Sequence, residues 1–341
     1  MHPADTADPW LRLPDAPPIE GLRFRRGRTD DAEWDALADL VVAANRHDRI
    51  PWLPSGQMLR EETADADGTD PTTDWIIAEI GGRLVAEAGV DRVMRDGRPT
   101  YDTWGHVLPE FRRRGLGRAL LRENTRRATE RSAVEDRPAD APTLRGFAEE
   151  CEVGHRALLA SSGFEPIRWF FLMQRALADE IPAAPVPDGL ELRPVRPEDH
   201  RRIVEAEHEA FKDHWQSRDF SEQAFENTFR KSDLDTSLWV VVWDGDEVAG
   251  VVQNWIWRDE NERLGTRYGW LEHISVRRPW RRRGLGRAIT AESLRRLRAA
   301  GMEHGMLGVD ADNPTGALGL YEGLGFEVHQ RSADYGRPIA G

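Results

Sequence analysis

The sequence Arg-Arg-Arg-Gly-Leu-Gly-Arg-Ala occurs twice, at residues 112–119 and 281–288. In both places the segment that follows, 118–129 or 287–300, carries apolar residues at the spacing of an amphipathic helix. A loop and helix repeated at this distance indicate that the chain contains two copies of one folding unit. The repeat therefore constrains the fold more than any other feature of the sequence.

The segments around the two loops also match in order. Each copy predicts a strand, one or two helices, a hairpin with turn residues, the arginine-glycine loop with its helix, another strand, a short helix ended by Gly-Phe, and a last strand or two. This order predicts a mixed α/β fold that is not doubly wound. The matched segments are 21–41 with 189–209, 75–90 with 238–254, and 154–166 with 315–328.

The two copies are joined by a segment that is typical of an extended linker. Residues 176–189 contain three prolines and small side chains without apolar periodicity. We predict an N-terminal domain at 1–178, a linker at 179–188 and a C-terminal domain at 189–341. Residues 130–142 have no counterpart in the second copy and are expected to form an inserted loop.

Composition excludes several classes of function. The formal charge of −13 and the pI near 5.3 argue against nucleic acid or an anionic membrane as the main partner. No apolar run approaches the roughly 18 residues of a membrane span, and the first residues lack the features of a signal peptide. We expect a cytoplasmic protein with neither a membrane nor a nucleic-acid partner.

Cys151 is the only cysteine. A single thiol rules out an internal disulfide and disfavours a cysteine-based metal site. We expect no metal, and we expect Cys151 to be a small buried apolar residue.

The order of elements and two motifs resemble the GCN5-related N-acetyltransferase (GNAT) family, over nearly the whole chain and twice. The motifs are Arg281-x-x-Gly284-x-Gly286 and the segment from Asn313 to Phe326, which contains Tyr321. The resemblance implies two tandem GNAT folds, each with a mixed, mostly antiparallel central sheet flanked by helices. It also implies transfer of an acetyl group from acetyl-CoA to an amine.

The arginine-glycine loop suits the pyrophosphate of coenzyme A. The first N–H groups of a helix lack partners and lie at the positive end of the helix dipole, while glycine lets a phosphate approach and arginine pairs with its oxygens. The expected cofactor contacts are Ile274, Ser275, Val276, Arg281, Arg282, Arg283, Gly284, Leu285, Gly286, Arg287 and Asn313. A possible second site consists of Val107, Arg112, Arg113, Arg114, Gly115, Leu116, Gly117 and Arg118.

Two residues are candidates for proton transfer. Alternation along a strand places Glu272 on one face with Trp270, Ile274 and Val276, where burial would raise its pKa toward that of a general base. The family resemblance places Tyr321 near the thioester sulfur, where its hydroxyl protonates the leaving thiolate. Some members carry the candidate base at the position of Glu272, and others carry it two residues earlier, where this chain has Trp270.

The N-terminal copy keeps the loop but not these two residues. Its counterpart of Glu272, counted along the sequence, is Thr103, and its counterpart of Tyr321 is Leu159. We therefore predict a catalytic C-terminal domain and a degenerate N-terminal one. Family geometry places acceptor contacts at Asp213, His214 and Trp215. Asn313 is expected to contact the pantetheine arm or to cap a helix, and the two roles are compatible.

The acceptor is expected to be a primary amine of a small molecule. One alternative is mycothiol synthase-type acetylation of a cysteinyl amine, because the overall plan is similar to that two-domain enzyme. An alternative of another class is a non-enzymatic acyl-CoA sensor or scaffold. Either a monomer or a homodimer is compatible with the sequence.

Overall fold

The computed structural model describes residues 10–64, 69–136, 142–215, 220–313 and 316–339. Their contacts divide the chain into unit 1, residues 1–167 with 333–341, and unit 2, residues 168–332. Each unit contains a sheet with helices packed against it, which confirms the mixed α/β class.

Unit 1 contains five strands and five helices of its own among the described residues. The strands are β1 (Leu22–Arg26), β2 (Trp75–Ile80), β3 (Arg83–Arg95), β4 (Arg98–Val107) and β5 (Thr143–Glu149). The helices are α1 (Asp31–Asp48), α2 (Gly56–Ala64), α3 (Pro71–Asp74), α4 (Leu116–Glu135) and α5 (Val153–Ser161).

Unit 2 repeats this plan in the described part of the chain. Its own strands are β7 (Glu191–Arg193), β8 (Val240–Asp244), β9 (Glu247–Trp255), β10 (Tyr268–Val276) and β11 (His304–Asp310). Its helices are α6 (His200–Phe211), α7 (Glu222–Thr228), α8 (Arg258–Leu264), α9 (Leu285–Ala299) and α10 (Ala317–Glu322).

Two further strands, β6 (Glu165–Ala176) and β12 (Glu327–Pro338), each cross the division between the units. Strand order is β1-β2-β3-β4-β5-β12 in unit 1 and β6-β11-β10-β9-β8-β7 in unit 2. The described pairings are antiparallel except β4 with β5 and β10 with β11. The sheets are therefore mostly antiparallel, as the resemblance implied.

The contact division differs from the predicted domain limits at 178 and 189. Residues 170–176 of β6 pair with β11 of unit 2, so unit 2 begins before the linker. At the other end, Ala333 and Tyr335 are buried in the core of unit 1. Residues 181–187 of the predicted linker lie in no helix or strand, and Ile181 is buried in the core of unit 2.

Residues 130–135 belong to helix α4, so the predicted loop at 130–142 begins too early. Ion pairs four residues apart, Arg126 with Glu130 and Arg131 with Glu135, favour continuation of the helix. The Arg131 side chain is buried and also pairs with Asp74 at 3.1 Å. Residues 137–141 of the predicted loop lie outside the described residues.

Candidate active site

The first arginine of each loop holds the loop in place. Arg281 donates through Nε to the Val276 carbonyl at 2.8 Å and through Nη1 to Asp213 at 2.5 Å. Arg112 likewise donates to the Val107 carbonyl at 2.9 Å and to both Asp48 carboxylate oxygens at 2.7 and 2.8 Å. These guanidinium groups bridge a strand end to a helix end, so neither is free for phosphate, contrary to the expectation.

The two loops also share an unusual backbone. The second arginine has positive φ in both, 63° at Arg282 and 61° at Arg113, and the glycine that precedes the helix has φ of 85° at Gly284 and 94° at Gly115. Only glycine adopts such values without strain. Gly284 and Gly115 are therefore required by the turn that precedes the helix, and the phosphate approach expected at the glycines stays a prediction.

The other loop arginines remain available to an anion. Arg282 and Arg283 are exposed and have no carboxylate partner among the described residues. The same holds for Arg113 and Arg118, which line a cleft of unit 1 together with Gly115. An exposed guanidinium beside free helix N–H groups is suited to bind a phosphate.

Strand β10 separates from β11 where the site is expected. The parallel pairing ends at Trp270 and Met306, while β10 continues to Val276. Beyond Trp270 the edge of β10 that faces β11 has no described strand partner, so its backbone amides can pair with a ligand. Ile274, Ser275 and Val276 all lie on this stretch.

A β-bulge in β10 corrects the predicted strand face. Glu272 pairs with Gln253 and Ser275 with Val251, so β10 has one extra residue, and His273 takes φ of 50°. The extra residue reverses the alternation, because Ile274 and Val276 pack on the same core as Leu271. Trp270 and Glu272 therefore face the opposite side from Ile274 and Val276.

Glu272 is partly buried, and desolvation raises the pKa of its carboxyl group, although His273 and Lys231 oppose the rise. Its side chain makes no hydrogen bond within the described residues. A carboxylate with a raised pKa and a free oxygen can accept a proton from an ammonium group.

His273 anchors the bulge to α6. Its Nδ1 lies 3.0 Å from Glu207 Oε1, and the ring is 54% exposed. Desolvation lowers its pKa, but the Glu207 carboxylate outweighs this and raises the pKa to about 9. The ion pair thus holds the residue next to Glu272 in its strained conformation.

Tyr321 lies on α10 and is 7% exposed in the core that contains Leu271 and Val309. Burial raises the pKa of its hydroxyl group, so the group stays protonated at neutral pH. It has no described hydrogen-bond partner. Because Tyr321 packs on the Leu271 side and Glu272 points to the other side, the two candidates lie on opposite faces of β10.

The expected acceptor residues have other contacts. Asp213 accepts hydrogen bonds from Arg278 and Arg281, and these hold the pKa of its carboxyl group well below its usual range. His214 stacks on Phe211 at 4.3 Å, and burial lowers its pKa. Trp215 has the Arg168 guanidinium 5.4 Å from its ring centroid.

Asn313 lies in the turn after β11 and accepts a hydrogen bond from the Gly316 N–H at 3.3 Å. The N-cap of α10 is Gly316, so the helix-cap role considered for Asn313 is wrong. Its contact with the pantetheine arm stays a prediction.

Two cavities of unit 1 are lined by residues that the structure describes. The first, about 680 Å³, extends from Arg113, Gly115 and Gly117 to the ends of β4 and α5; the second, about 550 Å³, lies on the side of α1 and α2. Both have the size of small-molecule sites. Cys151 is exposed and lines the first cavity, so the prediction that it is buried is wrong; it lies in the turn between β5 and α5, not in a strand or helix of the core.

Strand pairing also corrects the counterpart of Glu272 in unit 1. Val107 is the last residue of β4, and Val276 is the last residue of the equivalent strand β10. Three residue pairs before these ends, Trp104 pairs with Gly89 in unit 1 and Glu272 pairs with Gln253 in unit 2. The bulge of β10 is absent from β4, so counting along the sequence gave Thr103, one residue off. Leu159 is the counterpart of Tyr321, since each carbonyl accepts from the N–H of the following Gly-Phe phenylalanine.

The sequence analysis missed two histidine-carboxylate pairs that line both cavities. His106 lies 3.1 Å from Glu87, and His155 lies 3.3 Å from Glu152. The first pair joins residues 19 apart across a hairpin. The turn Asp96-Gly97, which joins β3 to β4, sets the register that brings Glu87 and His106 together, and its Asp-Gly sequence is the signal that could have indicated this hairpin.

The model of the acetyltransferase (GNAT) family matches residues 34–143 and 200–326. The chain belongs to the GNAT family. Each copy contains one match, so this acetyltransferase is a tandem GNAT protein, as predicted. Membership makes it an acetyl-CoA-dependent N-acetyltransferase and excludes the purely non-enzymatic interpretation.

The acetyltransferase is 30% identical to the mycothiol acetyltransferases of Catenulispora acidiphila and Salinispora tropica. These alignments cover 90% and 85% of this chain, respectively, and 95% of each relative. A solved GCN5-related N-acetyltransferase from Sphaerobacter thermophilus superposes with a TM-score of 0.71 at 25% identity, over 95% of this chain and 97% of the other.

A tandem GNAT protein from the clavulanic acid biosynthesis pathway superposes with a TM-score of 0.67 at 20% identity, over 94% of this chain and 99% of the other. This similarity supports the tandem fold. No helix among the described residues of the acetyltransferase is both long and apolar enough to cross a membrane.

Proposed function

We propose that unit 2 transfers the acetyl group of acetyl-CoA to a primary amine of a small molecule, with Glu272 as general base and Tyr321 as general acid. The observation that carries this proposal is the end of the β10–β11 pairing at Trp270, two residues before Glu272, in a unit whose core contains Tyr321 together with Leu271. Glu272 reaches one face of β10 and Tyr321 the other, so an acceptor and a leaving thiol at the gap have separate proton-transfer groups.

In this proposal the chain positions and protonates the reactants. The helix N–H groups after Gly284, with Arg282 and Arg283, hold the pyrophosphate, and the open edge of β10 aligns the pantetheine arm. Glu272 removes a proton from the ammonium group of the acceptor. Tyr321 donates its hydroxyl proton to the departing thiolate, and solvent restores it.

The acceptor class favoured by the comparisons is a cysteinyl amine, since the curated relatives are named mycothiol acetyltransferases. Trp270 and Glu272 share a strand face, so a base moved from position 270 to position 272 keeps its side of the sheet and shifts by about 7 Å. A related acceptor of different length fits such a shift. We place the enzyme in the cytoplasm, where acetyl-CoA is available.

The test is steady-state kinetics with L-cysteinamide and with simple primary amines. We expect Glu272→Gln and Tyr321→Phe each to lower kcat about 100-fold or more with little change in KM, since general acid-base groups contribute about 10²–10⁴-fold. Glu272→Gln should also remove the acidic limb of the kcat/KM profile and Tyr321→Phe the basic limb.

Tyr321→Phe keeps the buried ring and loses only a hydroxyl group without a described partner, so its stability should match the wild type. Glu262→Gln changes an exposed glutamate of α8; this variant is the control and should keep full activity. Unchanged kcat/KM at all pH values in both catalytic variants would overturn the assigned roles.

A further inference from the structure

Unit 1 contains a polar junction that the proposed function does not use. Glu87, His106, Glu152 and His155 line both of its cavities, so they lie where the two cavities meet. The first cavity has the arginine-glycine loop at its far end, and the second opens on the other side of the sheet. A donor in one cavity and an acceptor in the other would therefore meet at this junction.

The His106 ring is held as a proton acceptor. Its Nδ1 lies 3.1 Å from Oε1 of Glu87, whose side chain is 4% exposed. When Nδ1–H donates to this carboxylate, Nε2 keeps its lone pair, and the carboxylate stabilises the ring after it takes up a proton. The Trp52 ring centroid lies 6.4 Å from that of the His106 imidazole, and both rings line the second cavity.

Other charged groups around His106 come from the start of α5. Burial raises the pKa of the Glu152 carboxyl group, but His155, the Glu149 N–H and His106 together outweigh burial and lower this pKa. Glu152 also accepts from the Glu149 N–H at 2.8 Å, which fixes the carboxylate at the junction.

The second cavity suits a cation. Seven carboxylates but only two arginines line it. Arg95 pairs with Asp102 and Arg145 with Asp334, so both guanidinium charges are already balanced. Three tryptophans, Trp52, Trp75 and Trp104, add aromatic walls. An acidic, aromatic cavity favours an amine that carries a second positive charge.

We propose that unit 1 is a second acetyl-transfer centre, in which His106, oriented by Glu87, deprotonates a cationic primary amine. Acetyl-CoA occupies the first cavity and the amine the second. His106 Nε2 takes one proton from the ammonium group, and the nitrogen lone pair forms a bond to the thioester carbonyl carbon. The C–S bond then breaks, and the thiolate leaves with a second proton from that nitrogen, giving the amide and the free thiol.

Unit 2 lacks this pair, which separates the two centres. In the pairing of β4 with β3, His106 and Glu87 form the last residue pair but one. The equivalent pair in unit 2 consists of Ser275 and Val251. Unit 1 in turn has Trp104 and Leu159 at the positions of Glu272 and Tyr321. The two units therefore carry different proton-transfer groups on one backbone plan, and the proposal is independent of the roles of Glu272 and Tyr321.

The test uses the full chain with Gly286→Glu, which puts a carboxylate into the phosphate site of unit 2. Acetylation of 1,4-diaminobutane and of 1-aminobutane is followed by mass spectrometry. We expect transfer to persist in this background and to favour the diamine by about 10-fold or more. Adding His106→Gln should lower kcat about 100-fold with little change in KM, as expected for a general base.

Two further variants make the result specific. Glu87→Gln replaces the carboxylate that orients the His106 ring by a neutral amide of the same size, so kcat should fall with little change in KM. His329→Gln, at an exposed histidine of β12, is the matched control and should change nothing. Circular dichroism and calorimetric titration of acetyl-CoA establish that each variant folds and binds the donor.

Diamine acetylation that is absent in the Gly286→Glu background, or unaffected by His106→Gln, overturns the proposal. Either result leaves the function proposed for unit 2 intact, because that function is measured with unit 2 unblocked. Loss of activity only in Glu272→Gln and Tyr321→Phe would likewise place all chemistry in unit 2.

Discussion

At the scale of single residues, the side chains that hold the loop differ from those to which the proposal assigns proton transfer. Arg281 donates hydrogen bonds to Asp213 and to the Val276 carbonyl, and these bonds form a clamp that holds the loop. Glu272 and Tyr321, in contrast, make no described side-chain hydrogen bond. A partly buried carboxylate without such a partner is costly to ionise. The ionised Glu272 should therefore lower the free energy of unfolding, while its raised pKa suits a general base.

This cost has a defined pH dependence. The pKa of Glu272 is raised in the folded state, so its contribution to stability is most favourable below the unfolded value, about 4.3, and is lost as pH rises through the folded value. We predict that Glu272→Gln raises Tm at pH 8 but not at pH 4. Thermal unfolding followed by circular dichroism measures this, with the exposed Glu262→Gln as control; an equal shift at both pH values would contradict the account.

At the scale of elements, the two loop clamps link a strand end, a loop and a helix end. Asp213 accepts from Arg281, which also donates to the last carbonyl of β10, so removal of the carboxylate should loosen the phosphate loop. We predict that Asp213→Ala, in a Gly117→Glu background, raises the Kd of acetyl-CoA about fivefold, the effect of about 1 kcal/mol for a partly exposed ion pair.

Glu209→Ala is the matched control, because Glu209 lies in the last turn of α6, shortly before Asp213, but pairs with Arg277 outside the clamp. Calorimetric titration gives the Kd, and kinetics gives the KM of the amine. If Asp213→Ala raised only the KM of the amine, Asp213 would be the acceptor contact that the sequence predicted and the clamp would have no role in donor binding.

The same elements show what the sequence could and could not predict. Loop and helix signals are local, so the repeat, the hairpins and the glycine-dependent loop backbone were predictable. The bulge at His273 is not local: it depends on pairing with β9 and on Glu207 of α6, and without it the faces of β10 and the counterpart of Glu272 were misassigned. The Glu87–His106 pair also requires the register of a hairpin.

At the scale of the whole molecule, the chain contains one fold twice, with different side chains at the positions of Glu272 and Tyr321. Both units keep the clamp and the positive-φ loop, to which the proposals assign phosphate binding, while the proposed proton-transfer residues differ. Duplicated binding with divergent chemistry requires two acetyl-CoA sites in one chain. That requirement is the most direct consequence of the whole account.

Calorimetric titration of acetyl-CoA into the wild type, Gly117→Glu and Gly286→Glu tests it. These glycines are preferable to Gly115 and Gly284, whose positive φ would strain any side chain. A Cβ at 117 or 286 meets only the ends of flexible apolar side chains, the nearest being a leucine methyl group at 3.4 or 3.3 Å. We predict two sites in the wild type and one in each variant, since the carboxylate repels the pyrophosphate and should weaken binding about 100-fold or more. No binding by the wild type, or two undiminished sites in either variant, would contradict the account.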